Sequence, residues 1–292
     1  MYTNDYIRPY YANMRYELPT RLSDALDLRK SGAWQIIAGG TDVYPGNVGA
    51  PPLQDVLDIS RIDDLRGITE TAQSWRIGAL TTWTQLLDTT LPTALDALKL
   101  AAREVGSVQI QNAATIAGNL CNASPAADGV PPLLILDARV ELSTATGSRE
   151  LPLAEFLLGN RQTALRADEL MTAIVIPRDR ESAPSRFLKL GSRKYLIISI
   201  AMVAAQLRVD GGQIREPRIA VGSCSAVAQR LHELERGLDG LAIDVDLGRE
   251  LSAERMPELA PISDIRAGAD FRLDAAAILV RRAVEQCLGT AT

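Results

Sequence analysis

The sequence predicts an α+β fold in three successive units, residues 1–57, 58–177 and 178–292. Three observations carry this reading. The chain has 292 residues, more than one ordinary domain holds. Short apolar runs of strand length alternate with helical spacing of leucine and alanine through the first two units. The third unit opens on apolar runs and closes on helical patterns, the order expected of an α+β module.

In the first unit, leucines across residues 22–28 have helical spacing, and Gly32 follows as a stop. Residues 34–38 form a short apolar run, read as a buried strand that Gly39 and Gly40 end abruptly. Gly46, Gly49, Pro51 and Pro52 predict a loop, and residues 56–59 another strand. In the second unit, residues 76–79 read as a strand and 82–87 as the start of a helix. Residues 91–103 read as a helix with Pro92 near its start and Leu95, Leu98 and Ala102 on one face; Gly106 stops it. Residues 107–132 are rich in Asn, Ala, Gly and Pro with little periodicity, and predict a long functional loop. Residues 140–143 and 149–151 flank Gly147 as a hairpin, and 170–176 form a strand closed by Pro177. In the third unit, residues 185–190 and 197–209 read as strands. Asp210-Gly211-Gly212 is a hairpin turn, and 216–223 the return strand. An amphipathic helix is expected over 228–236 and a longer one over 273–287.

Composition narrows the function. Apolar residues make up 47% and charged residues 23%, ordinary globular values. The net charge of −5, with no basic run, argues against a nucleic-acid or anionic-membrane partner. The apolar runs 130–136 and 196–207 are too short or too interrupted to span a membrane. The N-terminus is polar and aromatic, without the pattern of a secretory signal, so a cytoplasmic chain is expected. Cys121, Cys224 and Cys287 are isolated, with no CxxC pair, and are expected as small buried residues rather than metal ligands. His232 is the one histidine and is expected at a surface or helix cap. At such a place it makes a Ser-His-Asp triad or a multi-histidine metal site hard to build.

Two glycine-bearing segments carry the chemistry. In Ile36-Ile37-Ala38-Gly39-Gly40-Thr41-Asp42-Val43 a buried strand runs into two glycines, a hydroxyl and a carboxylate. Glycines can turn successive N–H groups toward one point, and such a nest binds anions, phosphate above all. Taken alone, the segment also reads as an ordinary turn. The chain has neither GxxxxGK[ST] nor a helix-opening GxGxxG, so P-loop and Rossmann readings have no support. The second segment, Thr115-Ile116-Ala117-Gly118-Asn119-Leu120, again offers a hydroxyl, a glycine and an amide, and Asp128 follows thirteen residues after Thr115. A carboxylate only accepts, so Asp128 suits sugar hydroxyls or a ring N–H; alone, it reads more readily as a loop cap.

The order of these segments resembles the medium, FAD-binding subunits of the xanthine dehydrogenase and carbon monoxide dehydrogenase group. Those subunits have an AGG-[TH]-[DS] turn near residue forty, a T-[IY]-GGN turn some seventy residues later, and a small-residue loop ending in Asp. Here stand AGGTD at 38–42, VGSVQIQNAATIAGNLCNASPAAD at 105–128 and LDARVEL at 136–142. ADELMTAIVIP follows at 167–177, FLKLGSRKYLIISIA at 187–201 and PISDIRAGADFR at 261–272. The similarity runs in order from about residue 22 to 283.

The resemblance implies a two-part FAD-binding domain of the PCMH (vanillyl-alcohol-oxidase-like) type, followed by a C-terminal α+β domain with a small antiparallel sheet and helices. It implies that Ile36, Ile37, Ala38, Gly39, Gly40, Thr41, Asp42 and Val43 wrap the FAD pyrophosphate. Thr115, Gly118 and Asn119 would contact the phosphate and ribityl region, and Asp128 the flavin nucleotide. Lys189 would lie near the isoalloxazine with Met171 packed close by, and Val105 would line the same cavity. Positive charge from Lys189 or Arg193 would favour the reduced anionic flavin. Ala117 departs from the family pattern, which has glycine there; a positive φ would cost alanine about 1 kcal/mol. Asn112 stands where many relatives have Arg and receives no role. The chain lacks the cysteine-bearing insertion of the 4-hydroxybenzoyl-CoA reductases, so that subclass is disfavoured.

By the same resemblance, a large subunit holds a molybdenum cofactor that hydroxylates the substrate, and a small subunit carries two [2Fe–2S] clusters. The implied assembly is a dimer of such heterotrimers. FAD in this chain passes the electrons to NAD⁺, oxygen or another acceptor, with no general acid or base expected here. Two other readings stand beside it. A stand-alone flavin oxidase would need a larger substrate domain than the 115 residues after Pro177. A protein that has lost FAD would not need both glycine segments, Asp128 and Lys189. The substrate, whether a purine or other N-heterocycle, an aldehyde or carbon monoxide, would be chosen in another chain. Residues 193–199 resemble heterocycle dehydrogenases such as nicotinate dehydrogenase.

Overall fold

Three sheets organise the computed structural model, which describes residues 14–46, 55–244 and 246–291. The N-terminal segment 1–13 and the loop expected at Gly49, Pro51 and Pro52 lie outside the described residues. The first sheet is parallel: β1 (Tyr16–Glu17) and β2 (Gln35–Ile37) flank β3 (Val56–Asp58). Helix α1 (Leu22–Ser31) buries Ala25 and Leu26, and the turn after it is held by Trp34 Nε1, which donates to the Leu28 carbonyl at 2.8 Å. At β2 the chain enters α2 (Val43–Gly46), a single turn. This small unit does not close its own core. Leu65, Leu80 and Leu170, from later in the chain, pack with Leu26, Trp34 and Leu57.

The second sheet is antiparallel, with spatial order β4 (Ile68–Glu70), β5 (Ser74–Gly78), β10 (Leu170–Pro177), β6 (Arg139–Thr144) and β7 (Gly147–Pro152). The central strand β10 is buried almost throughout, which explains its unbroken apolar run. On this sheet pack α3 (Trp83–Asp88) and α4 (Asp96–Glu104). Thr82 and Gln85 form a capping box at the start of α3. The helix expected from residue 91 starts later: Pro92 leads into a 3₁₀ turn at Thr93–Leu95, and α4 begins only at Asp96.

The stretch 107–132, expected as a loop, instead holds three short helices, α5 (Val108–Ala113), α6 (Ile116–Asn122) and α7 (Val130–Ile135). Ser107 and Thr115 cap the first two, accepting from the Ile110 and Gly118 amides. Six or seven residues cover under two turns, so no helical period can show. After β7, a one-turn helix α8 (Leu153–Phe156) leads into a hairpin of β8 (Leu157–Gly159) and β9 (Gln162–Thr163). Arg161 at its tip has φ of 58°.

The third sheet has order β11 (Ser185–Leu190), β12 (Ala201–Asp210), β13 (Gln213–Gly222) and β14 (Gln229–Arg230). Gly211 and Gly212, both at positive φ, make the expected β12–β13 turn. β12 starts at Ala201 rather than 197. The Arg193 guanidinium donates to the Tyr195 and Leu196 carbonyls, and Leu196 has φ of 54°, so the chain turns there instead of extending. Residues 229–230 pair with β13, which delays helix α9 (His232–Leu238) to His232. His232 is exposed at the first position of that helix, as expected. A short helix α10 (Leu247–Glu250) precedes the long C-terminal helix α11 (Ala269–Ala291). β12 alternates strictly. Met202 and Ala204 join the core of the second unit, while Ala201, Val203 and Ala205 face Ala276, Val280 and Val284 of α11. The segment 261–272 is fastened by the buried Arg272, which donates to the Ile200 and Ser223 carbonyls and to Asp264. The Arg266 amide and this guanidinium hold the Asp264 carboxyl well below the usual carboxylate range.

Candidate functional site: a cavity between the two glycine segments

The parallel ladder carries β2 to its end at Ile37, and the chain then turns at Gly39 and Gly40. Gly40 has φ of 68°, a conformation open to glycine. Gly39 is required for a different reason: a Cβ there would fall 2.0 Å from the Ala113 carbonyl oxygen. The first glycine turn therefore lies directly on the link between α5 and α6. That link is itself fixed, since the Trp83 amide donates to Ala114 and the Ile116 amide to Thr81. Between the turn and α6 opens a cavity of about 490 Å³, within the range of small-molecule and cofactor sites.

Most of the residues expected at the cofactor line this cavity. They are Ile36, Ala38, Gly39, Gly40, Thr41, Asp42 and Val43 on one side, and Thr115, Gly118 and Asn119 on the other, with Val105 and Met171 between. Ile37, Asp128 and Lys189 are not on the wall. Ile37 is buried at the strand end. Asp128 and Lys189 pair with each other, Nζ to Oδ2 at 2.6 Å, with their side chains 9% and 6% exposed. Ser199 donates to the other carboxylate oxygen at 2.6 Å, and burial pushes the Asp128 carboxyl up while Lys189 and Ser199 pull it down. The pair stands just behind the wall. Asp128 precedes Gly129, and Lys189 also reaches the Glu104 carbonyl beside Val105 at 3.5 Å.

Ala117 carries no strain. It sits inside α6, while Ala123 at the end of the helix takes the left-handed conformation. The second glycine turn is thus a capped helix start, with the Gly118 amide bonded to Thr115 Oγ1 at 3.0 Å.

The sequence did not point to Trp83, Ile110, Cys121 or Asn122, which also line the cavity. Trp83 Nε1 and Asn119 Oδ1 are buried without hydrogen-bond partners. A Cβ on Gly129 would meet the six-membered ring of Trp83 at 2.7 Å and Asn119 Oδ1 at 2.9 Å, so both side chains pack against Gly129. An unsatisfied donor and an unsatisfied acceptor on two residues of one wall suit a ligand that both accepts and donates, as the hydroxyls of FAD do. The mixed wall, apolar with a few polar groups, fits a flavin nucleotide. Cys121 is exposed where it meets the cavity, unlike the buried Cys224 and Cys287. Surrounding protein still pushes its thiol up to about 12, so it stays protonated. Among the described residues no cluster of His, Cys, Asp or Glu could hold a metal ion, and no helix is long and apolar enough to cross a membrane.

Comparison with known proteins gives the same assignment over the whole length. Residues 12–179 match the FAD binding domain in molybdopterin dehydrogenase, and residues 186–287 the CO dehydrogenase flavoprotein C-terminal domain. The chain is 31% identical over 281 residues to a putative xanthine dehydrogenase FAD-binding subunit of Escherichia coli (strain K12), covering 94% of this chain and 96% of that one. It is 40% identical over 180 residues to the nicotinate dehydrogenase FAD-subunit of Eubacterium barkeri, 60% of this chain and 61% of the relative. Its fold superposes with a TM-score of 0.88 on a chain of carbon monoxide dehydrogenase from Hydrogenophaga pseudoflava, at 26% identity, covering 96% and 98% of the two chains. By its two domain matches, its end-to-end relatives and its cavity, the chain belongs to the FAD-binding medium subunits of the xanthine dehydrogenase and carbon monoxide dehydrogenase family of molybdenum hydroxylases.

Proposed function

We propose that this subunit takes electrons from the [2Fe–2S] clusters of a small partner subunit and delivers them through FAD to NAD⁺, oxygen or another acceptor. A large molybdopterin-binding subunit performs the hydroxylation, two such heterotrimers pair, and the assembly works in the cytoplasm. The three units divide at residues 57 and 177. The observation that carries this reading is the cavity itself, where both glycine segments meet around unsatisfied polar groups.

FAD, when bound, supplies the two-electron to one-electron exchange. The chain supplies the rest. Gly39, Gly40 and Thr41 bring backbone to the dinucleotide phosphates, and Thr115 fixes α6 so that Gly118 and Asn119 face them. Trp83 and Asn119 would offer polar groups to the bound cofactor, and Met171 and Val105 would keep water from it. Asp128 and Lys189 act on the flavin from behind the wall, through their charge and through the position they impose on Gly129 and Val105. The substrate is chosen elsewhere in the assembly, and N-heterocycles, aldehydes and carbon monoxide are all compatible with this chain.

The test is a visible spectrum of the purified chain after addition of FAD, followed by isolation of the native chain from its own cell. Flavin bands and co-isolation with molybdenum and iron–sulfur subunits are expected. A chain without flavin bands overturns the cofactor assignment, and a lone active flavoprotein overturns the electron-transfer role.

A further inference from the structure

The cavity has a charge problem. A dinucleotide brings a diphosphate with two negative charges, yet among the described residues no lysine or arginine lines the wall, and Asp42 adds a negative charge to it. Dipoles of backbone amides offset only part of this. Arg161, at the tip of the β8–β9 hairpin, is a cation bonded directly to the wall. Its Nη1 donates to Asp42 Oδ2 at 2.6 Å and to Asn122 Oδ1, two wall residues on opposite sides of the cavity. Its amide donates to the Ala123 carbonyl at 2.9 Å, and its φ of 58° holds the hairpin tip against the end of α6. Among the described residues Nε and Nη2 have no hydrogen-bond partner, so one edge of the guanidinium fork is uncommitted.

We infer that Arg161 is the charge partner of the FAD diphosphate, held at the cavity mouth by Asp42 and Asn122 until the cofactor arrives. Guanidinium matches phosphate oxygens in a two-point geometry that an ammonium cannot copy. The pair with Asp42 is more than half exposed on both sides, so it is weak enough to yield to a doubly charged ligand. Nothing here is redox or covalent; the step is an exchange of one anion for another on Arg161. The inference rests on the FAD assignment above.

Two variants of the full chain test it, with FAD affinity read from quenching of flavin fluorescence on titration of apoprotein. R161Q is expected to weaken FAD binding roughly 10- to 100-fold, the loss of a charge-assisted hydrogen-bonded contact. D42N removes the competing carboxylate while keeping the backbone of the turn, and is expected to tighten binding severalfold. The inference falls if D42N weakens binding, as loss of a latch between the two walls would. It also falls if R161Q binds FAD as the parent does. The gain from D42N is expected to shrink in the R161Q background. An equal gain in both backgrounds would mean that only the Asp42 charge was removed, which overturns the inference. Should R161Q fail to fold, R161K decides, because it keeps the charge but loses the two-point geometry, and parental FAD affinity in R161K overturns the inference. A parent chain that takes up no FAD would instead overturn the cofactor assignment.

Discussion

Lys189 and Asp128 show how a single contact can lie beyond what a sequence displays. They are 61 positions apart, one on β11 and one before α7, and nothing local signals that they meet. The family resemblance brought both to the cofactor, but their carboxylate and ammonium are turned to one another behind the cavity wall. A buried pair of this kind costs more to break than to replace. Lys189→Met leaves an uncompensated carboxylate and should lower stability by about 3–5 kcal/mol, while the double change with Asp128→Leu should recover most of that loss. Denaturant unfolding of both variants measures it. A Lys189→Met chain of parental stability would mean that the pair is solvated. FAD titration of the stable double variant then separates a flavin role from a packing role, because only the first predicts weaker binding.

At the level of elements, strands were far more legible than the short helices around the site. β10 stands where its unbroken apolar run places it, and the β6–β7 hairpin stands around Gly147, because five or six residues suffice to show a strand. α5, α6 and α7 are too brief to show a period of 3.6, so only their caps, Ser107 and Thr115, were available as signals. The same blindness made the second glycine segment look like a turn and Ala117 like a strained position. In the structure Ala117 is the second residue of α6, where alanine is a better helix former than glycine. Restoring the family glycine, Ala117→Gly, should therefore destabilise by about 0.5–1 kcal/mol rather than relieve strain. A thermal melt of the apoprotein checks this; a gain in stability would indicate a left-handed backbone at residue 117. Half of the wall could be read from the motifs. Trp83 and Asn122 on the wall, and Arg161 beside it, could not, because their places depend on how α3, α6 and the β8–β9 hairpin converge.

Across the whole molecule, the sheet of β11–β14 binds the second and third units into one structure. Phe187, Met202, Ala204 and Ala220 complete the core beneath the cavity, and the opposite face of the same strands holds α11. A fragment ending near residue 180 keeps every glycine of the site but loses this cover. It should bind a hydrophobic dye and melt without a sharp transition, whereas the full chain should melt cooperatively. A fragment that folds sharply and takes up FAD would show that the first two units stand alone. The shared strands also set a schedule during synthesis. The cavity's residues are all made by Met171, yet the core beneath them stays open until β13 ends at Gly222, some fifty residues later. At ribosomal speeds of about 5–20 residues per second, the nascent flavin module waits several seconds with its underside uncovered. That interval, more than any property of the finished fold, is when this subunit is most exposed to aggregation.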